Sequence, residues 1–453
     1  MGIGQAGTVD EGLVGNEVRF RTSHFHRGRG SRFGDSFQGC TFMNHPASEP
    51  MDEALVKKPI DDTEIAAVGA SDFQSAFGEP LENTLDLDTW RPGAELAAMY
   101  ERVQAEVSDA VRQESQMHRE IRDRIFPLLK SRPQAPAGAG VYRTSIEQVE
   151  TIHSRLLFNG GVEACDGTIA THDTLPVTIT QIGVSLVSYR GDQGSWGHRL
   201  FRRDLRVSGA SAIEETLELL ERRRSRGSAD QPSKRDQLSD LARRGIMAFA
   251  ERAVLLKKST AVWRMGHGNP LAYELVTGSG SPQLCEMGVN LLKELIAFGK
   301  FVYVPSGPNE RELLTIGGAL QPLEYAIVDS LKMKLERIAQ GHYRGQHWGA
   351  AKNAVEDFVN VAGDKVLIGV YRASQYAPAQ VFYAHADHVH EAALLALADS
   401  VLQEHRGFPM LIDLADKVCQ MMFGGDTFAA TNQLAYADAG EPFRYLAERA
   451  SRR

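Results

Sequence analysis

Apolar residues recur at helical spacing among charges at Leu96, Met99, Val103, Val107 and Val111, which predicts a long amphipathic helix. Upstream, residues 1–85 are rich in Gly, Ser, Asp and Arg and show little periodicity, so they are expected to form a flexible or loosely ordered arm. The stretch SHFHRGRGSRFGDSF within it mixes arginines, histidines and phenylalanines, a composition that also suits contact with nucleic acid or a partner. Residues 86–135 read as a helical extension, RPQAPAGAG (Arg132 to Gly140) as a linker, and 140–440 as the main domain.

That domain opens with a helix near Ser145–Leu157. GGVEACDG and TITQIGVSLVSYRG follow as two strands flanking a turn. SAIEETLELLERRRSRG and KRDQLSDLARRGIMAFAERAVLLKK read as helices, joined by the charged loop Glu221 to Gln237. LAYELVTGSG reads as a strand running into a Gly/Ser turn, CEMGVNLLKELIAFG as a helix, and KFVYVPSG as a strand. DKVLIGVYRA and APAQVFYAH read as a strand pair, and HEAALLALADSVLQEH and MLIDLADKVCQMMF as the helices after it. Paired strands followed by alternation with helices predict an α/β fold, a mixed sheet with flanking helices.

Composition narrows the class. The chain has 453 residues, 43% of them hydrophobic, and a net charge of −8, as expected of a globular protein that is not basic over its whole surface. Such a balance permits DNA binding through a local basic lining or a partner's charge. Cys40, Cys165, Cys285 and Cys419 are scattered with no CxxC pair, which fits a reducing compartment and gives no zinc motif. No apolar run approaches a membrane span and the N-terminus has no apolar signal core, so the expected location is cytoplasmic, with no membrane partner.

Several residues could carry chemistry. Asp166, in ACDGT, is either a carboxylate presented at a strand end, where glycine lets a ligand approach, or part of a tight Asp-Gly turn. Glu251 borders an apolar helix face; it is either an inward ligand or a surface carboxylate paired with Arg252 or Lys258. Glu274 and Thr277 stand at the Gly/Ser turn of ELVTGSGS, which lacks the ending of a phosphate-binding loop. His385, Asp387, His388, His390 and Glu391 cluster in YAHADHVHEA, where a metal role competes with Asp387 acting as a helix N-cap. Asp413 and Asp416 follow Gly407-Phe408-Pro409 and share one face of the next helix.

The order of these motifs resembles the NurA nuclease family, whose members work with HerA-type hexameric DNA-translocating ATPases. The resemblance covers residues 140 to 430. ACDGT is similar to the family's first Asp-Gly-Ser, Glu251 corresponds to its helix glutamate, and Gly407-Phe408-Pro409 with Ala415-Asp416 to its Gly-Tyr-Pro and Ala-His. Thr277-Gly278-Ser279 falls where the family has a second Asp-Gly-Ser. The resemblance implies an RNase H-like core and a DNA nuclease that uses Mn²⁺ or Mg²⁺. Asp166, Glu251 and Asp416 would be the catalytic metal ligands, with Glu274 compensating for the aspartate absent at Thr277. It implies a homodimer partnered by a HerA-like ATPase, acting in DNA end processing or repair, or in antiviral defence. The departures at Thr277, Phe408 and Asp416 motivate the alternative of a catalytically degenerate structural or regulatory subunit of such a complex.

Overall fold

The computed structural model describes residues 69–444, apart from 94, 174–176, 203–212, 214–237, 239–240, 308–310 and 342–347. Most of the expected N-terminal arm, the helix expected at SAIEETLELLERRRSRG and the charged loop after it lie outside the described residues. The chain divides into two compact units, Met1–Arg91 and Pro92–Arg453. The described part of the first holds helices α1 (Ala70–Phe77) and α2 (Leu81–Leu85), with the Trp90 indole N–H donating to the Thr84 carbonyl at 2.8 Å.

In the second unit, α3 (Tyr100–Glu120) is the predicted amphipathic helix. The stripe of Leu96 and Met99, on the helical turn before it, and Val103, Val107 and Val111 of α3 is exposed rather than buried. The chain just beyond it is anchored by Arg122, which meets Glu324 at 2.7 Å.

Among the described residues one sheet of nine strands follows: β1 (Gly140–Arg143), β2 (Val162–Asp173), β3 (Thr178–Ser188), β4 (Gly191–Arg202), β5 (Trp263–His267), β6 (Phe301–Val304), β7 (Glu324–Ser330), β8 (Val366–Arg372) and β9 (Gln380–His385). Their order across the sheet is β1-β7-β8-β9-β6-β5-β2-β3-β4, with β2, β5 and β6 parallel and every other pairing antiparallel. This is the expected mixed α/β sheet. Two expectations about its strands are corrected. Asp166-Gly167 is not a turn: both residues lie inside β2, paired with Ser185 and Val184 of β3. LAYELVTGSG is not a strand: Tyr273–Val276 is a short helix and Gly278–Gly280 a helical turn.

Strand alternation sends side chains to two cores. On one face Cys165, Leu186, Phe301 and Tyr303 pack against α4 (Ile246–Lys257), α5 (Pro282–Phe298) and α6 (Gly349–Ala362). On the other, Ala164, Met265, Val302 and Val304 pack against α7 (Val389–Val401) and α8 (Met410–Phe423). No helix among the described residues is long and apolar enough to cross a membrane.

Asp399 of α7 fixes how α8 is laid on that second face. Fully buried, it accepts a hydrogen bond from the Leu411 N–H, in the first turn of α8, at 2.9 Å and another from the Tyr189 hydroxyl just after β3. Burial pushes its pKa up to about 6 against the pull of both donors. Asp399→Leu leaves the N–H and the hydroxyl without their acceptor, so a loss of about 2–4 kcal/mol is expected in chemical unfolding. A loss below about 1 kcal/mol would mean that Asp399 does not hold these elements together.

Candidate functional site

Asp166 sits on the α8 face of β2, since it alternates with Cys165, which packs in the α4 core, and shares a side of the strand with Ala164, which packs in the α8 core. The next residue, Gly167, faces α4. Parallel pairing of β5 with β2 runs only from Val162 to Cys165. From Asp166 onward this edge of β2 has no β5 ladder partner, so side chains from both faces can meet around it. The place is the carboxyl end of parallel strands, where open α/β sheets commonly receive ligands.

Three further groups come to this edge. His267, the last residue of β5, places Nδ1 3.3 Å from Asp166 Oδ1, while the Ser306 N–H donates to its Nε2 at 3.3 Å. That second bond assigns the neutral imidazole proton to Nδ1, facing Asp166. Burial pushes the His267 pKa down, but Asp166, with Glu251 and Asp416, outweighs it and holds the imidazole above its ordinary value. Phe408 packs its ring edge against His267 at 6.0 Å between centroids, so the Gly407-Phe408-Pro409 loop buttresses the site.

Glu251 arrives from the opposite face. Its Oε1 lies 2.6 Å from where a Cβ would stand on Gly167, an approach that any larger residue there would block. Burial first, and the Asp166 charge second, push the Glu251 pKa up to about 7, although Arg252 and His267 oppose the rise. Arg252 Nη1 is 3.3 Å from Glu251 Oε2, so the expected pairing with Arg252 is present, but in the interior rather than at the surface. Asp416, on α8, is pushed upward by burial and then by Asp166, while its oxygens accept from Gln420 Nε2 at 2.8 and 2.9 Å. The nearby thiols are not nucleophiles at neutral pH: burial pushes Cys419 up to about 12 and raises Cys165 well above the ordinary thiol range.

The structure thus brings Asp166, Glu251 and Asp416 into one electrostatic cluster and adds His267, which sequence reading missed. A lone histidine in RMGHGNP carries no spacing signal; only the parallel β5–β2 register reveals it. Glu274 stands on the short helix Tyr273–Val276. Thr277 does not fill the aspartate's place, because its hydroxyl donates to the Tyr273 carbonyl at 2.7 Å. In the histidine cluster, His385 Nδ1 accepts from the Asp387 N–H and His390 Nδ1 meets the Tyr325 hydroxyl at 3.0 Å. Asp387 is not the N-cap of α7; His388 occupies that position.

Carboxylates with an imidazole are donors suited to Mg²⁺ or Mn²⁺. The mutual repulsion of Asp166 and Glu251 is what a divalent cation would offset. Among the described residues, however, no three His, Cys, Asp or Glu side chains are gathered closely enough to hold a metal ion. Asp416 is turned toward Gln420, and Glu251 toward Arg252.

The Glu251 shift has a sign that can be checked. Folded protein retains this proton up to about pH 7, whereas the unfolded chain releases it near the ordinary glutamate value of 4.5. Stability from this group is therefore full below that value and falls as pH rises toward 7. In chelator-treated protein, the melting temperature of Glu251→Gln relative to wild type should climb from pH 5 to about pH 7 and level off by pH 8. A decline over that range would mean that Glu251 is stabilised as a carboxylate instead.

No family model matches this chain, and no curated protein sequence matches it. Among solved structures it is similar to the NurA nuclease from Sulfolobus solfataricus, with a TM-score of 0.35 and 7% identity over 60% of this chain and 87% of that one. It is also similar to NurA solved with manganese, with a TM-score of 0.33 and 9% identity over 64% and 96% of the two chains. A further NurA structure gives a TM-score of 0.34 and 8% identity over 65% and 95%.

Proposed function

We propose that this protein is a divalent-metal-dependent DNA nuclease. The observation that carries the reading is the approach of Glu251, from the opposite face of the sheet, to Gly167 beside Asp166 at the open edge of β2, with Asp416 of α8 electrostatically linked to Asp166. An acid forced to share a buried space with a second acid is poorly explained as structure and well explained as half of a cation site. In this reading Asp166, Glu251 and Asp416 would hold Mn²⁺ or Mg²⁺, which would supply Lewis-acid activation of the phosphodiester and of the attacking water. His267 holds the Asp166 carboxylate through its Nδ1–H, the role an outer-sphere partner plays toward a ligand. Asp416 completes the set by rotating away from Gln420. Glu274, on the short helix Tyr273–Val276, is the further proposed ligand, compensating for the aspartate absent at Thr277. Action as a homodimer with a HerA-like hexameric ATPase, in DNA end processing or anti-phage defence, follows from the sequence resemblance and is part of the proposal.

A second reading, a catalytically degenerate subunit of such an ATPase complex, is favoured by two observations: among the described residues the ligands are not gathered, and Thr277 falls where the resemblance expects an aspartate. A cleavage assay separates the two. With Mn²⁺, linear and circular DNA are incubated with the protein, with and without the ATPase. The nuclease reading expects cleavage that Asp166→Asn lowers by at least about 100-fold, more than the loss of an outer-sphere partner causes. Undiminished cleavage by Asp166→Asn, or none by the complex with any divalent ion, would sink it.

A further inference from the structure

A cleft of about 500 Å³ lies between the outer strand β4 and the turn that joins α8 to α9 (Gly425–Asp438), and the proposed function does not use it. Its floor follows from two glycines. Gly183 of β3 pairs with Gly197 of β4, and the Phe423 ring occupies the space where a Cβ would stand on either. The end of α8 therefore sinks onto the sheet, and Met422, Phe423 and Phe428 make one apolar wall of the cleft. Across from it stand Gln181 and Arg199, a cross-strand pair. Gln181 is committed to structure: its Oε1 accepts from Arg199 Nε at 2.6 Å, and its Nε2 donates to the Phe423 carbonyl at 2.9 Å. The Arg199 guanidinium is thereby held at the cleft, while its two Nη groups make no hydrogen bond or ion pair among the described residues. None of the described residues lining the cleft is acidic, in a chain whose net charge is −8.

The cleft lies on the same side of the sheet as Asp166. Asp166, Ser185 and Ser195 form one cross-strand row, and Gln181 and Arg199 belong to another, four residues further along the strands. On α8, Asp416 and Phe423 are seven residues apart, two turns on one helix face, or about 10 Å along the axis. We propose that this cleft binds one nucleotide of a single DNA strand, about three stacked nucleotides of about 3.4 Å each from the carboxylate cluster. Arg199 takes the phosphate through its Nη groups, and the base covers the apolar wall, of which Met422 is the exposed part. Gln181 is engaged at both ends and the Ser195 hydroxyl is 2.8 Å from that of Ser185, so the cleft offers charge and surface rather than a pattern that reads base edges. Binding is therefore tolerant of sequence, and it favours a single strand, whose bases have a free face to lay on the wall. The inference rests on the nuclease reading for the identity of the strand as DNA; the cleft and its binding need no metal ion.

The test reads binding by fluorescence anisotropy of a labelled oligothymidylate about twelve nucleotides long, with EDTA present so that cleavage does not enter. Arg199→Ala should raise the dissociation constant about 10-fold and reduce the slope of its salt dependence by about 0.7, the share of one phosphate on a single strand. Met422→Glu, which puts an anion on the exposed part of the wall, should weaken binding at least about 10-fold. Met421→Glu places the same charge one residue away, outside the cleft and in full contact with solvent, and should change it less than about twofold. Oligoadenylate should bind within about threefold of oligothymidylate. An unchanged constant in folded Arg199→Ala, equal losses in Met421→Glu and Met422→Glu, or a duplex bound as tightly as the single strand overturns the proposal. So does displacement of the probe by thymidine monophosphate at the probe's own concentration, which marks a mononucleotide site, or tighter binding of oligouridylate, which marks an RNA site. Should Arg199→Ala fail to fold, the two methionine variants, both at exposed positions, decide. Cleavage by Asp166→Asn keeps the two failures apart. If it still cleaves while Arg199→Ala binds weakly, the nuclease site falls and the cleft stands; if it no longer cleaves while Arg199→Ala binds as wild type, only the cleft falls.

Discussion

Glu251 can reach β2 only because Gly167 has no side chain, and most of what is chemically unusual in this protein follows from that approach. Oε1 occupies the space where a Cβ would stand, which brings a second carboxylate to a strand that already carries Asp166. Neither the cores on the two faces nor the helices that form them require this. A buried acid beside another acid is unfavourable unless something positive comes between them or below them. Arg252 supplies the charge below, and His267 a hydrogen-bonding partner at the side.

The sheet makes the meeting possible through a mismatch of strand lengths. β2 runs twelve residues and is paired along most of its length with β3, whereas β5 accompanies it for four. Where β5 stops, the sheet opens on one side of β2 while remaining closed on the other. Groups on opposite faces, normally separated by the thickness of the sheet, then share one edge. Asp399 contributes at a distance by holding the first turn of α8, the helix that carries Asp416.

The periodic helices were legible in the sequence, because α5, α7 and α8 carry long apolar patterns bounded by Gly, Pro or polar residues. The strands were less so. WRMGH has no alternation and two ionisable residues, so β5 gave no strand signal, although its register with β2 places His267. LAYELV, a short apolar run before glycines, suits a strand and a buried helical turn equally, and tertiary packing chose the turn. The Asp-Gly pair was misleading as local chemistry: glycine is there for what approaches it from α4, a contact that sequence spacing cannot show. Asp166, Glu251 and Asp416 were legible as candidates only through the order of motifs. The exposed stripe on α3 illustrates the same limit, since periodicity identifies an apolar face without identifying what covers it.

The short β5 also has a consequence for how the protein is made. Asp166, His267 and Asp416 lie on β2, β5 and α8, far apart along the chain, and only tertiary docking joins them. Parallel pairing of β2 with β5 and the docking of α8 are contacts of large sequence separation, which form slowly and late. During synthesis Asp166 emerges well before α8, and until that helix docks, the β2 edge presents an incomplete set of acids. The pairing of Asp166 with His267 and its electrostatic link to Asp416 therefore belong to the finished fold and not to the growing chain.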